Sequence, residues 1–338
     1  MTKSLNCQIK LACSKGYLNR VKLLLKAGAD INHEYRDDDT SLLSVACSKG
    51  YLDIVKLLLK KGADIYYANR LGMTPLMHAC VKNHRKIVKL LLEKGVDINY
   101  SDNENWTALH WTCHKDHTDL AKYLVKKGAD IHYINMNSFT PLLHACIRGN
   151  ISLAKYLVKK GADINYGNIN NGFTPLLYAC NKGNIGLAKY LLKKGADVNH
   201  ANRHGLTSLF LACEWNYLDI VKLLLEKGAD INYVNHYHST PLILACYKEN
   251  LDIVKLLLEK GANIHIKNNN TDTALNIAMH KHNKELVKIL TLHEMKFKEI
   301  IKKTSDYSID IYEILISEIK EKTIVKDIIN MKHQLELL

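Results

Sequence analysis

Residues 74–97 read TPLMHACVKNHRKIVKLLLEKGVD and contain one unit of a pattern that recurs along the chain. A threonine at a helix start can accept a hydrogen bond from a free backbone amide, and a proline at the first helical position loses no hydrogen bond. Thr74-Pro75-Leu76 therefore predicts the start of a helix. After a short break, a second apolar run predicts a second helix, and Gly95 predicts its end, because glycine suits the left-handed position after a helix.

The same unit recurs with a period of 33 or 34 residues, which indicates stacked repeats rather than a single globular core. Eight of the nine cysteines keep this period, and each follows an alanine, except in one copy where Thr112 replaces it. The periodic cysteines are Cys13, Cys47, Cys80, Cys113, Cys146, Cys180, Cys213 and Cys246. Because Ala278 continues the alanine series, the chain contains nine repeats.

Thr-Pro-Leu-x-x-Ala, a second helix and a Gly-Ala-Asp turn closely resemble the ankyrin repeat. The resemblance covers about residues 1–292, and repeat 1, which has Cys7-Gln8-Ile9-Lys10 in place of Thr-Pro-Leu, is expected to be a terminal cap. The resemblance implies an all-α, elongated and curved solenoid of helix-turn-helix units joined by β-hairpin or turn loops. It also implies a role in protein recognition, without catalytic residues or a cofactor.

Selective binding is expected at the positions that the repeat frame leaves free. In the ankyrin architecture these are the hairpin tips and the exposed side of each first helix, which together line a concave groove. Aromatic, methionine and arginine side chains dominate interface hot spots, so residues of these types, with histidine, are the expected contacts at the free positions. The predicted partner-binding residues are Arg70, Met73, Trp106, His114, Met136, Phe139, Arg148, Phe173, Arg203, His204, Trp215, His236, Tyr237 and Tyr247.

The cysteines and histidines also raise the questions of disulfides, metal binding and catalysis. Equivalent positions of stacked helices lie about 8–10 Å apart, beyond the roughly 7 Å that a disulfide spans, so we interpret the cysteine ladder as reduced core packing. The spacing of one cluster could place zinc ligands on one helical face, but structural roles in the repeat explain most of its members, and we expect no metal. That cluster is His110, Cys113, His114 and His117. Because the sequence shows no nucleophile, base and acid at recognisable spacing, we do not expect an enzyme.

The formal net charge of +13 raises the alternative of an electrostatic binder of nucleic acid or acidic membrane. Much of this charge comes from one lysine on the second helix of each repeat, and we interpret these lysines as part of a solvated helix face. A protein is therefore the expected partner, and nucleic acid is not. The chain shows neither a secretory signal nor an apolar run long enough to span a membrane. We therefore expect a soluble, cytoplasmic monomer, with nuclear entry left open.

Residues 293–338 lack the repeat pattern, and isoleucines among mixed charges predict two or three amphipathic helices there. Two roles are open for this segment. It could cap the apolar face of the last repeat, or it could dock a second protein, such as a ubiquitin ligase component, and make the chain an adaptor. The sequence thus predicts a repeat array over residues 1–292, a helical C-terminal segment, and binding of a protein partner whose identity the sequence does not give.

Overall fold

A computed structural model of the chain describes residues 2–35 and 40–305. These residues form eighteen α-helices and no extended strand, and the chain divides into two compact units, Met1–Asn170 and Asn171–Leu338. Across the described ranges, no helix combines the length and the apolar character that crossing a membrane requires.

The described part of the first unit consists of five pairs of helices, each a first helix followed by a second. The pairs are α1 (Thr2–Lys15) with α2 (Leu18–Lys26), α3 (Leu42–Lys49) with α4 (Leu52–Lys60), α5 (Pro75–Val81) with α6 (Arg85–Glu93), α7 (Ala108–His114) with α8 (Thr118–Lys126), and α9 (Pro141–Ile147) with α10 (Ile151–Lys159). Each pair corresponds to one repeat, so the predicted all-α, helix-turn-helix architecture is confirmed.

The described part of the second unit consists of four further pairs. They are α11 (Pro175–Asn181) with α12 (Ile185–Lys193), α13 (Ser208–Glu214) with α14 (Leu218–Glu226), α15 (Pro241–Tyr247) with α16 (Leu251–Glu259), and α17 (Ala274–His280) with α18 (Lys284–Ser305). Helix α18 continues without a break past Leu292, where the repeat pattern ends. Residues 306–338 lie outside the described residues, so the proposed division at residue 292 and the cap or docking role stay predictions.

Threonine directly precedes and caps the first helix in seven of the repeats. Its side chain accepts a hydrogen bond from the backbone amide three residues later, and a cap of this kind stabilises a helix by about 1 kcal/mol. The capping residues are Thr74, Thr107, Thr140, Thr174, Thr207, Thr240 and Thr273. Proline follows four of these threonines at the first helical position, so the predicted helix starts are confirmed.

The core of each unit lies between successive first helices and between each first helix and the second helix of its repeat. In repeat 3, Ala79 and Cys80 are completely buried, and the same holds for the other alanine and cysteine pairs of the repeat frame. Within each unit a first helix packs on its own second helix and on the next first helix. Because alanine and cysteine are small, these helices can approach closely while the leucines around them fill the remaining space.

The Gly-Ala-Asp-x-Asn turns join neighbouring repeats directly. In the first unit Asn99 Oδ1 accepts a hydrogen bond of 2.8 Å from the Asp130 amide, while Asp97 Oδ1 accepts one of 2.8 Å from the Asn99 amide. In the second unit Asn199 accepts from the Asp230 amide at 2.8 Å, and its Nδ2 donates to the Gly228 carbonyl at 3.2 Å. The acidic residue therefore shapes its own turn, and the asparagine binds the turn of the next repeat.

The buried thiols lead to a prediction on reactivity. All eight periodic cysteines are buried and free, whereas Cys7 is exposed, and burial raises the pKa of the Cys13 thiol to about 12. Because the thiolate is the reactive form, we expect a soluble disulfide reagent to label one thiol rapidly in the native protein. Cys7→Ser should remove this fast phase and leave the slow labelling of the other eight, which follows unfolding. Rapid labelling of several thiols in native Cys7→Ser would contradict the packing role.

The break between the two helices of a repeat has left-handed backbone throughout. Glycine occupies it in several repeats, for example Gly50 at φ 83°, and Asn216 and Glu249 adopt φ 57° and 58°. Residues other than glycine, asparagine and aspartate pay a steric cost in this conformation because Cβ approaches the backbone. Glu249 is exposed, and its carboxylate accepts a hydrogen bond of 2.7 Å from the Asn283 amide group at the surface.

Glu249→Gly should stabilise the second unit by about 1 kcal/mol, since it relieves this backbone strain and loses one exposed hydrogen bond. Chemical denaturation would measure the change as a higher unfolding midpoint. Asn216→Gly is the matched control, because asparagine adopts the left-handed conformation at lower cost, and its gain should be smaller. An unchanged or lowered midpoint for Glu249→Gly would show that the Asn283 hydrogen bond outweighs the strain.

Candidate partner-binding surface

An asparagine or aspartate five residues before the capping threonine shapes most of the described hairpin tips. Asn69 Oδ1 accepts hydrogen bonds from the amides of Leu71 and Met73 at 3.1 and 2.8 Å, and Asn235 Oδ1 accepts from the corresponding two amides in its own hairpin. A side chain bonded in this way imitates a backbone turn and holds the loop in one shape. Asp102, Asn135, Asn202 and Asn268 act similarly. This column was not among the features predicted from the sequence, although its regular recurrence could have revealed it.

Seven of the predicted binding residues lie in the first unit, and the structure gives them different exposures. Arg70, Met136 and Arg148 are exposed, and the exposed fraction of Met136 is 64 %. Trp106 is buried, and three further residues are partly buried, namely Met73, His114 and Phe139. The Arg148 guanidinium reaches back to the preceding repeat and donates from Nε to the His114 carbonyl at 2.6 Å. Most of the first-unit set is therefore accessible at the hairpin tips and the ends of the first helices.

Trp106 corrects the sequence analysis. Its side chain is only 8 % exposed, and its ring centroid lies 4.6 Å from that of Trp111 and 4.7 Å from that of His144. Trp106 directly precedes the capping threonine Thr107, and its side chain points inward against α7 of its own repeat and α9 of the next repeat. The expectation that Trp106 occupies an exposed position is therefore wrong, because its indole packs against the rings of Trp111 and His144.

Trp106, Trp111, His114, His144 and Phe139 form an aromatic cluster. Within it the His144 ring lies 5.2 Å from Phe139 and 5.4 Å from His114, and the rings meet edge-on or tilted, as aromatic quadrupoles favour. Trp111 Nε1 donates to Asp102 Oδ2 at 3.1 Å, and Asp102 Oδ1 also accepts from the Trp106 amide. Asp102 thus joins its hairpin to α7 through its second carboxylate oxygen. The asparagines at this position in other repeats have only one side-chain oxygen and cannot accept in this way.

Burial sets the protonation state of two histidines at this cluster. Desolvation lowers the pKa of His110 to about 4, and it lowers the pKa of His144 to about 3, with further lowering by the neighbouring His110, His114 and Arg148. His110 Nε2 also lies 3.1 Å from the Phe139 carbonyl. Both imidazoles are therefore neutral near pH 7, and they serve as packing groups rather than as proton carriers there.

Seven predicted residues lie in the second unit, where all but one are exposed. Trp215 is 54 % exposed and Tyr237 is 66 % exposed. Arg203, His204, His236 and Tyr247 are also exposed, and Phe173 is partly buried against Tyr178. The Trp215 indole donates to Asn181 Oδ1 at 3.0 Å, and Lys281 Nζ lies 4.1 Å above the Tyr247 ring. Contacts between neighbouring repeats thus hold these aromatic faces in fixed orientations.

A column of cations, which the sequence analysis also missed, lies two residues after the cysteine position of each repeat. These residues end the first helices, where positive charge is favoured by the helix dipole. The column consists of Lys15, Lys49, Lys82, Lys115 and Arg148 in the first unit and Lys182, Lys248 and Lys281 in the second. All eight are exposed, and Trp215 takes the same position in repeat 7.

The residues weighed as a metal site have separate structural roles. Cys113 is fully buried in the core, and His117 Nε2 lies 3.1 Å from the Val81 carbonyl of the preceding repeat. Within residues 2–35 and 40–305, no three histidine, cysteine, aspartate or glutamate side chains are placed to hold a metal ion.

Comparison with known families agrees with this architecture. A family model described as ankyrin repeats (3 copies) matches residues 9–102, 100–168, 166–235 and 233–301. The chain is an ankyrin-repeat protein. No curated protein sequence matches it significantly. Ankyrin repeats are generally protein-interaction modules.

The buried histidines predict a pH-dependent stability of this ankyrin-repeat array. The unfolded chain binds protons at His110 and His144 near pH 6.5, whereas the folded pKa values are about 4 and about 3. The stability that the two neutral imidazoles contribute is therefore present above pH 6.5 and is lost as the pH falls toward 4. Between pH 7 and 5 each histidine should lower the free energy of unfolding by about 2 kcal/mol.

His144→Leu tests this origin, because Leu211 and Leu244 occupy the equivalent position in other repeats. The variant should lose roughly half of the pH dependence of the urea midpoint between pH 7 and 5, if the two histidines contribute equally. A pH dependence as steep as that of the wild type would show that the lost stability arises elsewhere.

Proposed function

We propose that this ankyrin-repeat protein is a non-catalytic interaction protein that binds a partner protein through its hairpin tips and the ends of its first helices. The observation that carries the proposal is the exposure of large side chains at the same few repeat positions. Leu71 and Tyr237, each three residues before the capping threonine of its repeat, are both 66 % exposed. Met136, one position earlier in its hairpin, is 64 % exposed, and Trp215 on a first-helix end is 54 % exposed. A single exposed apolar residue is ordinary, but its recurrence at equivalent positions is typical of a recognition surface.

The rigidity of these positions supports the same function. The asparagine-shaped hairpins and the hydrogen bond from Trp215 to Asn181 hold the contact residues before any partner arrives. Binding then orders fewer rotamers and loses less conformational entropy, so more of the contact energy is available for affinity. A repeat array presents such prearranged side chains without needing a mobile loop to close over the partner.

The states of the reactive side chains favour binding over catalysis. The periodic cysteine thiols are buried with raised pKa values, so they are protonated and poor nucleophiles. The buried His110 and His144 have pKa values far below the range that suits a general base at neutral pH. We also propose that the protein is a cytoplasmic monomer.

The charges of the second helices favour a protein partner over a nucleic acid. Several of their lysines lie close to carboxylates of the array, such as Lys56 at 4.0 Å from Asp53 and Lys255 at 3.8 Å from Glu285. A duplex-binding face needs several cations free to contact phosphates. The adaptor alternative depends largely on residues 306–338, which lie outside the described residues, and it stays a prediction.

Affinity capture with the full chain, followed by mass spectrometry and a binding assay with the recovered protein, tests the proposal. Trp215→Ala combined with Tyr237→Ala should weaken binding at least tenfold, in keeping with hot-spot losses of about 2 kcal/mol or more. Ile185→Ala is the matched control, because Ile185 is a 44 % exposed apolar residue on the second helix α12. It should change the affinity less than twofold.

Two outcomes would contradict the proposed surface. If Ile185→Ala abolishes binding and the double aromatic variant does not, the partner contacts the second helices. If the purified chain turns over a small-molecule substrate, the protein is an enzyme. Unchanged turnover in the aromatic variant would place that activity away from the proposed binding surface.

A further inference from the structure

The cations of the column have partners within the array in the second unit more often than in the first. In the second unit Lys248 Nζ lies 3.6 Å from Glu214 Oε1, and Lys281 stacks over Tyr247. Each partner is the residue directly after the cysteine of the preceding repeat. The second unit therefore engages these two cations of its column within the array.

The first unit places no acid in that partner position. The residues directly after its cysteines are Ser14, Ser48, Val81, His114 and Ile147. Lys15, Lys49, Lys82 and Lys115 form no ion pair within the described residues, and neither do the exposed hairpin carboxylates Glu34 and Glu104. Four exposed lysines thus follow one another on successive first helices without an internal counter-charge, and Arg148 continues the row.

The spacing of this row sets the geometry of a ligand. Successive first helices of the unit pack directly on each other, so equivalent lysines lie about 10 Å apart. This distance is close to the Debye length at physiological salt, so neighbouring lysines repel each other weakly and a bridging anion would offset the repulsion. An extended peptide advances about 3.3 Å per residue, so every third side chain matches one rung.

A second row beside the lysines offers apolar contact. Leu11, Val45, His78 and Trp111 each lie four residues before a cation of the column, which places them one helical turn away on the same face. Leu11 is 56 % exposed, and the other three are partly accessible. Residues between the acidic side chains of a ligand can pack on this row.

We propose that the first unit binds an extended acidic peptide segment, with carboxylates at about every third residue, along Lys15, Lys49, Lys82, Lys115 and Arg148. The proposal rests on the proposed function and specifies the chemistry of its partner. A peptide fits this face better than a nucleic acid, because one strand of a duplex carries a phosphate about every 3.4 Å and a single row of cations would meet only a third of them.

A fluorescent peptide of thirteen residues, with glutamate at every third position and alanine and serine between, tests this inference on the full chain. Fluorescence anisotropy at low salt should show binding that weakens as salt is added. Lys82→Gln combined with Lys115→Gln should weaken it at least tenfold. The matched control is Lys94→Gln with Lys126→Gln, which removes two exposed lysines from the C-terminal ends of the second helices α6 and α8 and should change the affinity less than twofold.

Three results would overturn the inference. They are an equal loss in both double variants, equal or tighter binding of a peptide whose glutamates are consecutive, and tighter binding of an oligothymidylate of matched charge. Circular dichroism of each variant at the assay temperature separates loss of binding from loss of fold. If the peptide does not bind while a captured protein still depends on Trp215 and Tyr237, this inference fails and the proposed function stands.

Discussion

The close contact between successive first helices holds each repeat against the next within a unit. A helix pair of about thirty residues cannot bury its own apolar faces, so each repeat is stable only against its neighbours. Alanine and cysteine at the contact, as in Ala79 and Cys80, keep the helices close and leave no room for a larger side chain. This constraint explains why the cysteines recur without bonding to one another and why their thiols are buried.

Hydrogen bonds between side chains and backbone then fix the register of one repeat on the next. Within a unit, the asparagine of a Gly-Ala-Asp-x-Asn turn reaches the following turn, as Asn99 does with Asp130, and a second asparagine series shapes the hairpins. These bonds cost little entropy because both partners already belong to ordered turns. The result is a series of rigid loops whose free positions can change without disturbing the frame, which suits selective binding.

The two units use the same column of first-helix ends in different ways. Glu214 and Tyr247 engage Lys248 and Lys281, two of the three column cations of the second unit, whereas serine, valine and histidine leave most of those in the first unit facing solvent. Solvent-exposed ion pairs contribute little to stability, so the pairing itself does not hold the second unit together. Its effect is on the surface, because it removes positive charge from one unit and keeps it available on the other.

The period, the helix starts at Thr-Pro-Leu and the buried alanine and cysteine columns can be read from the sequence alone, because each follows from local geometry that recurs along the chain. The resemblance of this pattern to the ankyrin repeat indicated the family. Tertiary packing sets the direction of the Trp106 side chain, since the indole packs on Trp111 and on His144 of the next repeat. It also decided which cations are paired, because Lys248 and Glu214 lie 34 residues apart. Such contacts join residues on different repeats, and a local pattern cannot specify which of several equivalent side chains turns inward and which stays exposed.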